Sequence, residues 1–321
     1  MLKSQKIWLL IAALFVVGGL VLFAVTMTAS GWDFRVLSTE KLMTNTYTIS
    51  DPFVSISMET DTADIVFIPS ADGSCKVVCY EPENARHNVT LDGSTLTVTL
   101  VDRREWYAHI GIHSESPKIQ VFLPAGDYKD LLISEDTGDI RIPEDFRFAS
   151  IDITTSTGDV DTSASAAGQL KIATSTGHIR LENASASAID LSVSTGQVRV
   201  KAVNCEGELS LRVSTSEGYL TDVTCGSFTT TGNTGELELK NVVATGAFSI
   251  TRTTGDVEFD RCDAAQITIE TDTGDVEGSF RSPKLFFTET STGDVHVPKS
   301  TTGGTCTVTT STGDIELEIV A

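Results

Sequence analysis

A four-residue phrase, Thr137-Gly138-Asp139-Ile140, returns with small variations at about twenty-residue steps until Thr312-Gly313-Asp314-Ile315, close to the end of the 321-residue sequence. With the glycine as origin, ten units place it at Gly138, Gly158, Gly177, Gly196, Gly218, Gly235, Gly255, Gly274, Gly293 and Gly313, spaced by 17 to 22 residues. A period of this length marks a repeat architecture in which each unit packs on its neighbours.

Two columns of apolar residues accompany the glycine. Two positions after it stand Ile140, Val160, Ile179, Val198, Leu220, Leu237, Val257, Val276, Val295 and Ile315. Seven positions before it stand Leu131, Ile151, Leu170, Ile189, Leu211, Phe228, Phe248, Ile267, Phe286 and Cys306. Within a unit the pattern alternates, as in Ile151-Asp-Ile153, so one set of side chains faces one side of a strand. A lone unit cannot bury that face, whereas stacking at the ~4.8 Å strand spacing turns each apolar position into an inner ladder.

The predicted fold is therefore all-β, a single-chain parallel β-helix of about ten coils. About nineteen residues at ~3.3 Å each give a coil perimeter of roughly 60 Å, and ten coils a rod of roughly 45 to 50 Å. A propeller is disfavoured because its blades need four strands and about forty residues. The glycine supplies positive φ at a tight corner, and the flanking Ser, Thr and Asp side chains bond to nearby backbone groups.

A calcium ladder is the alternative use of the motif, because an acidic residue follows the glycine at Asp139, Asp159, Glu236, Asp256, Asp275, Asp294 and Asp314. Stacked carboxylates ~4.8 Å apart repel by roughly 1 kcal/mol per pair even in water, and a hard cation between them relieves this. The run Asp256, Asp275, Asp294 and Asp314 is the candidate metal site. The ladder breaks at His178, Gln197 and Tyr219. No other cofactor is expected.

Ile7 to Thr28 carries no charged residue and is long enough as a helix to cross a bilayer core, which requires about twenty residues. Lys3 and Lys6 precede it, so the positive-inside tendency leaves residues 1–6 in the cytoplasm and the rest outside. The apolar run exceeds a signal-peptide core, and no Ala-x-Ala site follows. Residues 29–45 read as a linker, 46–125 as an irregular β cap with hairpin insertions, and 126–321 as the solenoid. The expected location is a bacterial cell membrane, single-pass, with the C-terminal part extracytoplasmic.

The formal net charge is −21, and none of the 44 acidic residues lies within the first 32 positions. An acidic exterior argues against a nucleic-acid partner. Six scattered cysteines, without CxxC pairs, point to free buried thiols. Counting seven residues past the glycine puts Ala184, Val203, Cys225, Val242 and Cys262 in one column, with Cys225 and Cys262 two coils apart.

Before the array, Tyr47–Ile49, Val54–Met58, Ile65–Ile68, Cys75–Tyr80, Leu96–Val101 and Lys118–Leu123 read as strands, and Asp72-Gly73 and Asp92-Gly93 as turns. Asp61-Thr62-Ala63-Asp64-Ile65 is a degenerate unit with alanine for glycine. This segment is expected to cap the open end of the stack. Within it, residues 102–117 gather Arg103, Arg104, Trp106, Tyr107, His109 and His113, the candidate ligand-contact residues because aromatic, basic and imidazole groups concentrate there. At the other end Glu316 and Glu318 follow the tenth motif directly. An open final coil there would permit end-to-end self-association.

Thr155-Ser-Thr-Gly-Asp-Val160, Thr174-Ser-Thr-Gly-His-Ile179, Thr290-Ser-Thr-Gly-Asp-Val295 and Thr310-Ser-Thr-Gly-Asp-Ile315, with the Leu-Pro strand Lys118–Pro124 before them, resemble the bacterial putative-adhesin family. That family is a domain of unknown function behind an N-terminal membrane segment, and the resemblance covers residues 46 to 321. It implies a non-enzymatic β-helical head at the cell surface, an adhesin or envelope scaffold with a protein or glycan partner, and offers no catalytic residues. The alternatives are a carbohydrate-active β-helix enzyme, whose paired carboxyls would stand about 5 to 9.5 Å apart, and a calcium-binding surface repeat protein.

Overall fold

The computed structural model describes residues 3–29, 31–32, 42–103 and 116–320. One helix, Lys3–Ala29, contains a 23-residue stretch, Ile7–Ala29, with a mean hydropathy of 2.8, exposed throughout except at Met27. It is long and apolar enough to cross a membrane. The remainder is strand, wound into a β-solenoid of about ten turns.

Each turn has two principal strands with the motif between them. In one turn Phe146–Thr157 carries Phe146, Phe148, Ile151, Ile153 and Thr155 inward, the chain bends at Gly158, and Val160–Thr162 turns Val160 and Thr162 inward. Neighbouring turns pair in parallel: Ile151 faces Leu131 on one side and Leu170 on the other, and one register shift falls between Phe259 and Cys262. The alternation read from the sequence thus becomes one continuous buried core.

Backbone geometry explains the glycine. Gly177 has φ +144°, a region open essentially to glycine, and a Cβ there would overlap the carbonyl oxygen of Gly158 in the next turn. The threonine three residues earlier points inward: Thr174 Oγ1 donates to the Gly158 carbonyl at 3.3 Å, and Thr290 Oγ1 to that of Gly313 at 3.0 Å. Six residues after the motif position the chain turns again through left-handed residues, Asn183, Ala202, Asp222, Asn241 and Arg261, with φ between 50° and 56°.

One register differs from the sequence reading. Gly235 stacks on Ser216, not on Gly218; Gly218 is aligned with Leu237, and Leu220 with Leu239. Ser216 therefore holds the corner position in the fifth unit, and Leu209, not Leu211, begins its inward run. The left-handed Asp222 then falls six residues on, as in the other units. The cysteine columns shift accordingly. Cys225 pairs with Ala244 and lies in the column of Ala186 and Cys205, whereas Cys262 occupies the column of Val242 and Val223. All six cysteines are free thiols, five of them buried.

At both ends the order in space departs from the order in sequence. Ser55–Glu59 and Asp64–Pro69, the degenerate unit, lie between the first full motif turn and a layer made by Thr95–Asp102 and Lys118–Leu123. At the far end Gly304–Thr312 pairs with both Gln266–Thr273 and Lys284–Thr292, and Ile315–Ile319 with both Val276–Phe280 and Val295–His296. The tenth unit is thus intercalated between the eighth and ninth, and the open end expected at residues 315–319 is instead formed by Lys284–Thr292 and Val295–His296. The first end is covered by antiparallel strands: Ala85–Asp92 on Thr95–Asp102, and Cys75–Pro82, then Leu42–Ile49, on Lys118–Leu123.

Candidate functional site

The strand after each glycine presents an outward column three residues past the corner. In spatial order it runs Arg141, Asp161, Arg180, Arg199, Tyr219, Glu238, Glu258, Glu277, Glu316 and His296. Its first half is basic but neutralised: Asp161 forms an ion pair with Arg180 and lies 3.7 Å from Arg141, whose other contact is Asp139 at 3.4 Å. Arg199 sits over the Tyr219 ring at 5.6 Å. Its second half is acidic, and no cation pairs with Glu258, Glu277, Glu316 or Glu318 among the described residues.

Beside that half runs the motif aspartate column. The four predicted metal-site residues are contiguous in space, in the order Asp256, Asp275, Asp314, Asp294. The first three carboxylates each accept the backbone amide of the next turn: Asp275 N to Asp256 Oδ1 at 2.8 Å, Asp314 N to Asp275 Oδ1 at 2.7 Å, and Asp294 N to Asp314 Oδ1 at 2.8 Å. The same ladder joins Asp64, Asp139, Asp159 and the amide of His178 at the other end. One carboxylate oxygen of Asp256, Asp275 and Asp314 is thus committed to the backbone. The glutamate column borders a groove of about 710 Å³ lined by Glu258, Glu277, His296, Pro298, Glu316 and Glu318.

Residues 53–220 and 199–321 match the family model of the Toastrack DUF4097 domain. The chain belongs to the Toastrack family. Solved structures similar to it include a putative adhesin of Parabacteroides distasonis (14% identity, 75% of this chain and 98% of that one, TM-score 0.47). Others are a putative lipid binding protein of the same organism (16%, 75% and 95%, TM-score 0.46) and a putative adhesin of Bacteroides fragilis (14%, 88% and 99%, TM-score 0.42). No curated protein matches.

The ligand-contact residues predicted from sequence divide. Arg103 is exposed and its amide donates to Asn84 O at 2.9 Å, whereas Arg104, Trp106, Tyr107, His109 and His113 lie outside the described residues. The segment that contains them leaves the Toastrack solenoid from its outermost parallel layer, between Thr95–Asp102 and Lys118–Leu123.

Sequence reasoning missed a buried cluster in the cap, Cys79, Glu81 and His87, whose ligand atoms lie within 4.8 Å of one another. Glu81 Oε2 accepts both the amide and Nδ1 of His87 at 2.6 Å, and Oε1 accepts Asn45 Nδ2 at 2.6 Å. Burial opposes the charge of Glu81, but these hydrogen bonds hold its carboxyl below the ordinary value. With both carboxylate oxygens engaged, Cys79 and His87 alone do not make a four-ligand metal site. The cluster fastens the hairpin to the cap. The alternation of Cys79 and Glu81 on one strand face was its only signal, and nothing in the spacing pointed to His87.

Proposed function

We propose that this chain is a membrane-anchored, extracytoplasmic β-solenoid that works without catalysis, as an adhesin or envelope scaffold, and that its contact surface is the acidic face of the last turns. The carrying observation is the run of unneutralised glutamates Glu258, Glu277 and Glu316 along one groove, two residues along the chain from the motif aspartates Asp256, Asp275 and Asp314 of the same turns. A flat surface that repeats with the turn suits an extended partner carrying cationic groups, and its charge steers encounter. The Toastrack family and the names of the similar structures support a surface role.

The apolar helix supports anchoring, because its 23 residues are exposed except for Met27. Labelling intact cells with a membrane-impermeant amine reagent tests this: exposed lysines such as Lys171 and Lys240 are expected to react without lysis. Labelling only after lysis would contradict an exterior solenoid.

Calcium is the second reading, favoured by the contiguity of the four aspartates, each of which keeps at least one oxygen free of the backbone ladder. A melting temperature unchanged between millimolar calcium and chelator would end it.

A further inference from the structure

Two cations are buried in the solenoid, and they are treated differently. Lys284 Nζ is met by Asp263 Oδ1 at 2.5 Å, the Ala264 carbonyl at 2.8 Å and Ser282 Oγ at 2.7 Å. Arg252, only 2% exposed, has none of this: its Nε, Nη1 and Nη2 are buried without any hydrogen-bond partner. Burial lowers its pKa to about 10, so the guanidinium remains charged at neutral pH. An unpaired buried charge is among the least favourable things a core can contain.

The surroundings of Arg252 depart from the repeat at one position after another. It stands in register with Thr271, where most turns carry an inward threonine. In the preceding turn its partner is Gly232, and a side chain there would overlap Nη1 and stand 3.0 Å from Cζ. One turn further, Gly218 replaces the valine or leucine of its column, and a Cβ there would stand 3.8 Å from Nη2. Thr230 occupies a column that Ile250, Ile269 and Val308 fill in the following turns, with Thr288 its one other polar member, at the end of the stack, and Ser216 replaces the corner glycine. The hydroxyls of Ser216, Thr230 and Thr271 are buried and unpartnered as well. Two absent side chains make room for one guanidinium, and the polar groups left over around it are hydroxyls, which can donate.

From this clustering we propose that the solenoid core holds a small inorganic monoanion, of the size and charge of chloride, against the Arg252 guanidinium, with the hydroxyls of Ser216 and Thr230, in the turns toward which the guanidinium extends, as its further donors. A monoanion supplies the charge that Asp263 supplies to Lys284, and it accepts from several donors at once without demanding a fixed direction. Rules of a repeat that fail together at one place, in compensating fashion, mark a site rather than drift.

The test uses the full chain in detergent, refolded and crystallised in sodium bromide, with anomalous diffraction to locate bromide. An anomalous peak within hydrogen-bond distance of Arg252 Nη1 or Nη2 is expected. In parallel, exchanging gluconate for chloride at constant ionic strength should raise the melting temperature by about 3 °C, saturably. Arg252→Thr restores the residue usual in that column and should fold, with a melting temperature indifferent to the anion. Water density without an anomalous peak at Arg252 would overturn the proposal, as would an equal chloride response in wild type and Arg252→Thr.

Discussion

Gly235 stacks on Ser216, so the fifth corner of the solenoid is turned by a serine while Gly218, two residues on, lies in the core. Corner glycines and core glycines consequently differ in what they tolerate. Gly177→Ala places a Cβ into the Gly158 carbonyl at φ +144° and is expected to cost more than about 3 kcal/mol or prevent folding. Gly218→Ala meets the flexible ends of Leu237 and Leu211, at 3.0 and 3.3 Å, and only ordinary contact with Arg252 Nη2 at 3.8 Å, and should stay within about 1 kcal/mol of wild type. Denaturant midpoints of the two variants check the register, and equal losses would return Gly218 to the corner.

The second bend of each turn is left-handed, and Ala202 adopts it at φ 53° although exposed. Asparagine already fills the position at Asn183 and Asn241 and tolerates this conformation better than alanine. Ala202→Asn should therefore stabilise by roughly 0.5 kcal/mol, read as a higher denaturant midpoint with an unchanged slope. A lower midpoint would show that the bend is not strained.

Glu135 replaces the inward threonine beside the degenerate unit. Its Oε1 accepts the Ala63 amide at 2.9 Å, while Oε2 is buried without a partner. Burial pushes its pKa up to about 7. The folded state thus binds the proton more tightly than the unfolded chain, so its stabilising contribution is complete below the unfolded value of roughly 4.3 and is lost as pH rises through about 7. Glu135→Gln should be more stable than wild type at pH 8, by on the order of 2 kcal/mol, and nearly equal to it at pH 4. A pH-independent difference between the two would refute the assignment.

Burial pushes the thiols of Cys79, Cys225, Cys262 and Cys306 up to about 12, and that of half-buried Cys75 to about 11. A thiol reagent at pH 8 should find the native chain almost inert and all six cysteines reactive after unfolding. Fast native labelling of any buried cysteine would contradict the packing.

The solenoid was legible because its signals are backbone signals: a glycine where no Cβ fits, and inward residues at period two such as Ile151 and Ile153. The register slip at Ser216 was not, since Gly218 imitates the motif and only the stacking of Gly235 tells them apart. Intercalation of the tenth unit was equally hidden. Phe286 and Ile267 both pair with Cys306 through the same parallel pattern, so periodicity cannot decide which copies touch. Of the candidate site, the aspartates were legible as residues, but their spatial order and their backbone bonds depend on that intercalation. The glutamate column gave no sequence signal distinct from ordinary outward alternation, and Arg252 gave none, because its inward turn rests on the glycine opposite.

The claim that the acidic face is the contact surface is tested most directly by retention on native cell envelope. Full-length wild type and the variant Glu258→Gln, Glu277→Gln, Glu316→Gln would be compared at low and high salt. The account predicts salt-sensitive retention of wild type and its loss in the variant, with unchanged melting. Equal retention of both would place the contact elsewhere and contradict it.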